Sequence, residues 1–441
     1  MRARRVLALA ALGSVVLLAG GCDWLGGSNK SPLPGERVAV LASDRKLEPD
    51  QRLQGHTVTL PAAVDLAEWP LPQGTPGAHP GNVQLEAFRA AWRASIGAGN
   101  SRAGRVTGTP VIAGGRLFAA DAQATLTALN ASTGARLWSF DSEPARDRSG
   151  GGSGGGAAVA GDRVFFATGY GQVVALDVER GREIWRFQLS APARSGPAIA
   201  GGRVFVTTVD NQTFALDAAS GRRLWSHTGI AESAGFVGSG SPAIEGGTVL
   251  VGYSSGEIFA LRAESGRVLW SDTLSGVVRT GQISGMADIR GTLSVDRGMA
   301  IVASQSGRTV ALDMRTGARV WEQEIGSLGQ PWIAGDYVFV MGVEGDLACL
   351  QRRDGRVVWV TALGGFTDER RKRGRIVWTA PVVAGGRVFV ANSVGKAVAV
   401  DAASGRVVQN LSMPDGIEVA PVAANRSLYV LTDNGDIAAY R

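Results

Sequence analysis

Cysteine and histidine are nearly absent from this chain. Two cysteines, Cys22 and Cys349, and three histidines, His56, His79 and His227, occur in 441 residues. Two thiols so far apart build neither a disulfide framework nor a cysteine-rich metal centre, and the histidines stand in no metal-ligand spacing. With so few histidines, no Ser/His/Asp arrangement can be assembled. No residues are assigned as catalytic or as metal ligands, and no cofactor is expected. Helical periodicity is nowhere sustained. An acidic surplus is also lacking: net charge is +6 and the pI about 9.7. The basic residues scatter through "GR" turns, which reads as a solvated surface rather than a nucleic-acid stripe. The glycine run 149–158, "SGGGSGGGAA", lacks the Lys-Ser/Thr of a phosphate loop and reads as a flexible connection.

Long apolar runs are missing beyond residues 6–19, and fourteen residues are too few to span a bilayer. That run follows Arg2, Arg4 and Arg5 and ends at "LLAGGC", so residues 1–21 read as a signal peptide. The ending resembles a bacterial lipoprotein signal, with Cys22 as the lipidated mature N-terminus, although Ala19 stands where such signals have Leu. An ordinary secretory signal with an incidental Cys22 is the alternative. Residues 22–36 are rich in Gly, Ser and Pro and read as a tether. Residues 37–85, with five prolines from Pro61 to Pro80, read as irregular chain wrapped over the domain. Cys349, in the apolar "GDLACLQ", reads as a small buried hydrophobe.

Glycine, by contrast, is abundant at 62 residues, and it recurs in a pattern. "ASTGARLW" ends at Trp138, and near relatives end at Trp185, Trp225, Trp270, Trp321 and Trp359, with Gln409 in the seventh place. Before each lies an "ALD"-like run, such as 174–177 or 214–217, and before that a β-branched run such as "RVFVTT". Short strands separated by Gly-rich turns form a meander, and a four-strand unit of 38–51 residues repeated in series predicts a β-propeller. The third-strand motif occurs an eighth time at 437–441, and Trp92 in the upstream run 86–97 matches the repeated Trp. The expected fold is all-β, an eight-bladed β-propeller over 86–441 with four antiparallel strands per blade, the last blade closed by the N-terminal strand. Trp92 and the six other repeated tryptophans are expected to be structural, filling the gap between blades where the ring widens. Connections within blades are short. The long ones (139–156, 226–241, 271–291 and 360–379) should share one face, and loops on a rigid scaffold commonly carry binding.

The "ALD…TG…W" blades resemble the repeat of quinoprotein dehydrogenases. The eight blades with a lipoprotein signal resemble the BamB family, propeller lipoproteins of the bacterial outer-membrane β-barrel assembly machinery. That resemblance implies a non-enzymatic periplasmic scaffold, lipid-anchored at the outer membrane. It would dock on the periplasmic domains of BamA and on other assembly subunits, with unfolded outer-membrane proteins as further partners. Asp23 keeps the inner membrane open as the destination. The resemblance places partner contacts in two loops. In 226–236, His227, Thr228 and Gly229 stand where the family has Leu-Arg-Gly. In 283–293, Asp288 matches the first of two acidic residues and Arg290 replaces the second, with Met286 and Ile289 beside them. Asp288 is expected to pair with a basic group of the partner. A quinoprotein oxidoreductase is a competing reading, but it implies a Glu/Asn/Asp calcium site and a Cys-Cys pair, and no Cys-Cys occurs in this sequence. A sugar- or peptidoglycan-binding propeller is another. The basic run 368–375, "DERRKRGR", is either a solvated loop or a contact for anionic lipid or an acidic partner.

Overall fold

The computed structural model describes residues 47–75, 79–144, 155–232, 240–274 and 288–441. The signal, Cys22, the tether and Met286 lie outside these.

The repeat folds as its spacing predicts. Seven consecutive four-stranded antiparallel sheets cover 111–141, 155–188, 198–228, 243–273, 294–323, 332–362 and 382–412, here blades 1 to 7. Blade 8 takes three strands from 422–440 and its outermost strand, Ala90–Ser95, from the other end of the chain. Ser95 pairs with Asp436 and Ala90 with Tyr440, so the ring closes without a seam between first and last blades. The inner three strands of each blade are buried on both faces, as sheets packed face to face require.

The repeated motif is explained by how blades meet. In the third strand the Ala of "ALD" lies directly opposite the Trp, as in Ala128↔Trp138, and a bulge follows at once. The small residue leaves room for the indole, and Cys349 holds this same place opposite Trp359, buried, its thiol pushed up by desolvation. Each Trp then reaches the next blade, where its Nε1 donates to a backbone carbonyl at 2.7–3.2 Å, from Trp92→Ala131 round to Trp359→Ala402. The turn glycines beneath the seven indoles have φ of 66–75°, and a Cβ on any of them would lie 2.5–2.7 Å from the ring. Glycine is therefore demanded twice, by the turn and by the close approach. Gln409 now has a reason. Blade 8, which it faces, draws its third and fourth strands from opposite ends of the chain, so no turn there receives an indole.

The irregular segment before the first strand does more than wrap. Residues 61–85 cross the face bearing the short turns, with Asn82 bonded at Gly386, Asp65 paired with Arg426 and Glu68 bonded at Gly114. Trp69 and Leu71 turn inward. Trp69 exchanges both backbone bonds with Ile112 of blade 1, Pro70 accepts from Val159 of blade 2, and the Trp69 indole stacks on Trp332 of blade 6. Both side chains are buried. The chain plugs its own axis from that side.

Candidate protein-docking face

The connections between blades and the second-to-third-strand turns hydrogen-bond to one another all round the ring, as in Gly229→Asn211, Ile289→Tyr253, Ser327→Ser304 and Ile417→Asn392. They therefore share one face. The other two turn types bond to each other within blades 1 to 7, as in Ala218→Gly202, and form the opposite face. The described ends of the long connections thus share this face, opposite the surface crossed by residues 61–75 and 79–85.

The residues singled out in the two loops fall in different places. Thr228 is exposed. His227 is half-buried: its ring lies parallel to Tyr253, its Nδ1 is 2.9 Å from the Tyr253 hydroxyl, and burial lowers its pKa. Gly229 lies against the Tyr253 ring, where any Cβ would collide. The expectation for Asp288 is corrected. Asp288 is fully buried and its carboxylate accepts from Arg194, also buried, at 2.6 Å. An uncompensated carboxylate there would be costly, and Arg194 of the connection between blades 2 and 3 supplies the charge. Ile289 is also interior, packed on Gly252. Arg290 lies at the channel mouth with Glu418, its guanidinium pKa pulled down by burial.

These buried residues fix the loops. Asn211 Oδ1 receives Arg194 at 3.4 Å and the Ser254 hydroxyl at 3.0 Å, while its Nδ2 donates to the Ile230 carbonyl at 2.6 Å. One network therefore joins the connection holding Arg194, the loop after blade 3 and the end of the loop after blade 4. Its effect is to present Ile230, whose own N–H is held by Glu257 and which is 62% exposed. Sequence inspection passed over Ile230. Its signal was an aliphatic residue in a loop made mostly of small and polar residues.

Elsewhere on this face, Asp433 lies beside Glu418, and burial, then Glu418, push its pKa up to about 6. The basic run folds into a hairpin, Phe366–Asp368 with Arg373–Arg375, whose acids partly neutralise its bases: Glu369 meets Lys372 at 3.1 Å. On the short-turn side a cleft of about 590 Å³ is walled by His56, Tyr337 and Arg352, but Arg297 and Arg352 are both held by Asp296.

The axis does not suit a quinone cofactor. About 110 Å³ remains free beside Trp69 and Pro72, against roughly 300–1,000 Å³ for small-molecule sites. Among the described residues, no three His, Cys, Asp or Glu are grouped to hold a metal.

Fold and site together define a closed eight-bladed propeller with a plugged axis and one loop-bearing face. Residues 122–361 and 364–441 match the family model described as outer membrane protein assembly factor BamB, and the chain belongs to that family. It is 27% identical over 165 residues to the protein of that description from Marinobacter adhaerens, covering 36% of this chain and 39% of that protein. It is 28% identical over 159 residues to the one from Escherichia coli K12, covering 35% and 38%. These alignments thus span about two fifths of each relative. The crystal structure of BamB from Moraxella catarrhalis superposes with a TM-score of 0.69 at 21% identity, over 80% of this chain and 99% of that one. Quinohemoprotein alcohol dehydrogenase from Comamonas testosteroni superposes at 0.64 with 14% identity, over 86% and 81%. These two likenesses are of fold.

Proposed function

We propose that this chain is a non-enzymatic scaffold of the outer-membrane assembly machinery that docks on periplasmic domains of BamA through its loop-bearing face. The observation that carries the reading is Ile230, an exposed aliphatic residue on a loop held by buried hydrogen bonds, in a chain of the BamB family. A rigid apolar anchor within a polar rim is what a modest protein interface uses. Asp288 and Arg194 act one step back, setting the shape of the loops rather than touching the partner. Thr228, Glu232 and the segment with Met286 complete the contact surface. Cys22 carries the lipid that keeps the protein at the periplasmic face of the outer membrane. Unfolded outer-membrane proteins reach the machinery beside this scaffold.

Affinity purification from solubilised membranes tests the role. BamA should co-purify with the tagged chain, and no quinone-dependent dye reduction should accompany it. Dye reduction without BamA would establish the oxidoreductase instead.

A further inference from the structure

The outer strand of a blade ends its sheet, and an uncovered edge attracts other chains unless it is blunted. At the two positions before the Trp, blades 1, 2, 3 and 5 place a charge first: Arg136, Glu183, Arg223 and Arg319. Blades 4, 6 and 7 do not. They read "GRVLW" (266–270), "GRVVW" (355–359) and "GRVVQ" (405–409), with two aliphatic residues in succession. The second of each pair is the bulged residue and projects from the ladder.

Blade 6 shows what such an edge accepts. Its Val357 and Val358 are 5% and 8% exposed, because residues 47–53 of the same chain lie against them. The Asp50 N–H donates to the Val357 carbonyl at 2.9 Å, and the Asp50 carboxylate, which accepts from Arg52 at 2.6 Å, also stands 3.8 Å from Arg356. Leu47 packs against the core cluster that contains Val357, and Leu53 lines one cleft with Val358 and Trp359. At blade 4, Val268 and Leu269 are 43% and 40% exposed; at blade 7, Val407 and Val408 are 42% and 54% exposed. Arg267 and Arg406 hold the place of Arg356, and both are exposed.

We propose that the outer edges of blades 4 and 7 are docking sites for an extended segment of a partner polypeptide in which two aliphatic residues flank a carboxylate, as Leu47 and Leu53 flank Asp50. The carboxylate meets Arg267 or Arg406, a backbone N–H meets the strand edge, and the aliphatic pair is covered. Docking here does not depend on the assembly role, and the blade 4 edge leads directly into the loop after that blade.

The test uses the full chain and a fluorescent synthetic peptide of residues 44–56 with a photoreactive group in place of Leu53. In the wild type the blade 6 edge is already covered, so the peptide should crosslink to 266–270 and 405–409. Val268→Glu with Leu269→Glu should remove the first crosslink, and Val407→Glu with Val408→Glu the second. All four together should weaken binding at least about tenfold by anisotropy. Leu137→Glu on a blunted edge should leave binding unchanged, and a peptide with Asp50→Lys should bind no better than a scrambled one. Absence of binding, crosslinks confined to other blades, or binding indifferent to the four Glu substitutions would overturn the proposal. So would a stable dimer by light scattering with residues 47–53 of one copy crosslinked to these edges of another, which would make the occupant a second copy.

Discussion

The turn glycines and indoles carry the fold residue by residue. Gly221→Ala places a Cβ 2.6 Å from the Trp185 ring at a φ of 72°, so both sterics and backbone oppose it. It should cost about 2–3 kcal/mol, and Trp225→Ala about 2–4 kcal/mol, in urea unfolding. Gln409→Trp should gain nothing, since no turn awaits it. Two titrating groups give opposite signatures. His79 packs its edge against Trp332, its ring nitrogens are shielded from water, and burial lowers its pKa to about 4; Asp296 and Arg352 are the charges that face it. The unfolded imidazole therefore binds the proton first, and stability falls as pH drops from about 6.5 to 4. Asp433, raised to about 6, does the reverse: stability is lost as pH rises from about 4 to 6. Each contributes on the order of 1–3 kcal/mol, the Asp433 part being the smaller because that carboxyl is only half-buried. Relative to wild type, His79→Phe should gain more melting temperature at pH 4.5 than at pH 7, and Asp433→Asn more at pH 7 than at pH 4.5. Equal offsets at both pH values would refute these assignments. The glycine–tryptophan relation was legible because it repeats at fixed offsets. The burial of Asp288 was not, because Arg194 lies 94 positions away and only the ring brings them together.

Among the elements, the strand Ala90–Ser95 has the largest consequence. Deleting 86–97 removes the outer strand of blade 8 and the Trp92 contact to blade 1, leaving an open edge. The truncated protein should aggregate on refolding, seen by light scattering, whereas deleting 23–36 should leave refolding intact. A monomeric, cooperatively unfolding protein without 86–97 would contradict the closure. This strand was legible because its Trp matches the motif. The axial plug was not: residues 61–85 have no periodicity, and a Trp in irregular chain gives no sign of which cavity it enters. Ser195, Gly196, Gly329 and Gln330, which line the axis, likewise look like ordinary turn residues until the strands are arranged in a ring.

At the scale of the whole molecule, the two faces are unequal. Residues 61–85 lie across one, and the connections between blades build the other. The sequence indicated this asymmetry through loop length alone, and it gave no sign that Asp288 is buried against Arg194 while Ile230 is exposed. Cys22→Ser should move the protein from the membrane to the soluble periplasmic fraction, and persistence in the membrane would argue against the anchor. The central claim is that the loop face is the docking face. The direct measurement compares Ile230→Asp with Arg203→Glu, a short-turn residue on the opposite face, for co-purified BamA and melting temperature. Ile230→Asp should lose BamA at unchanged melting temperature while Arg203→Glu retains it. Loss with Arg203→Glu and retention with Ile230→Asp would contradict the account.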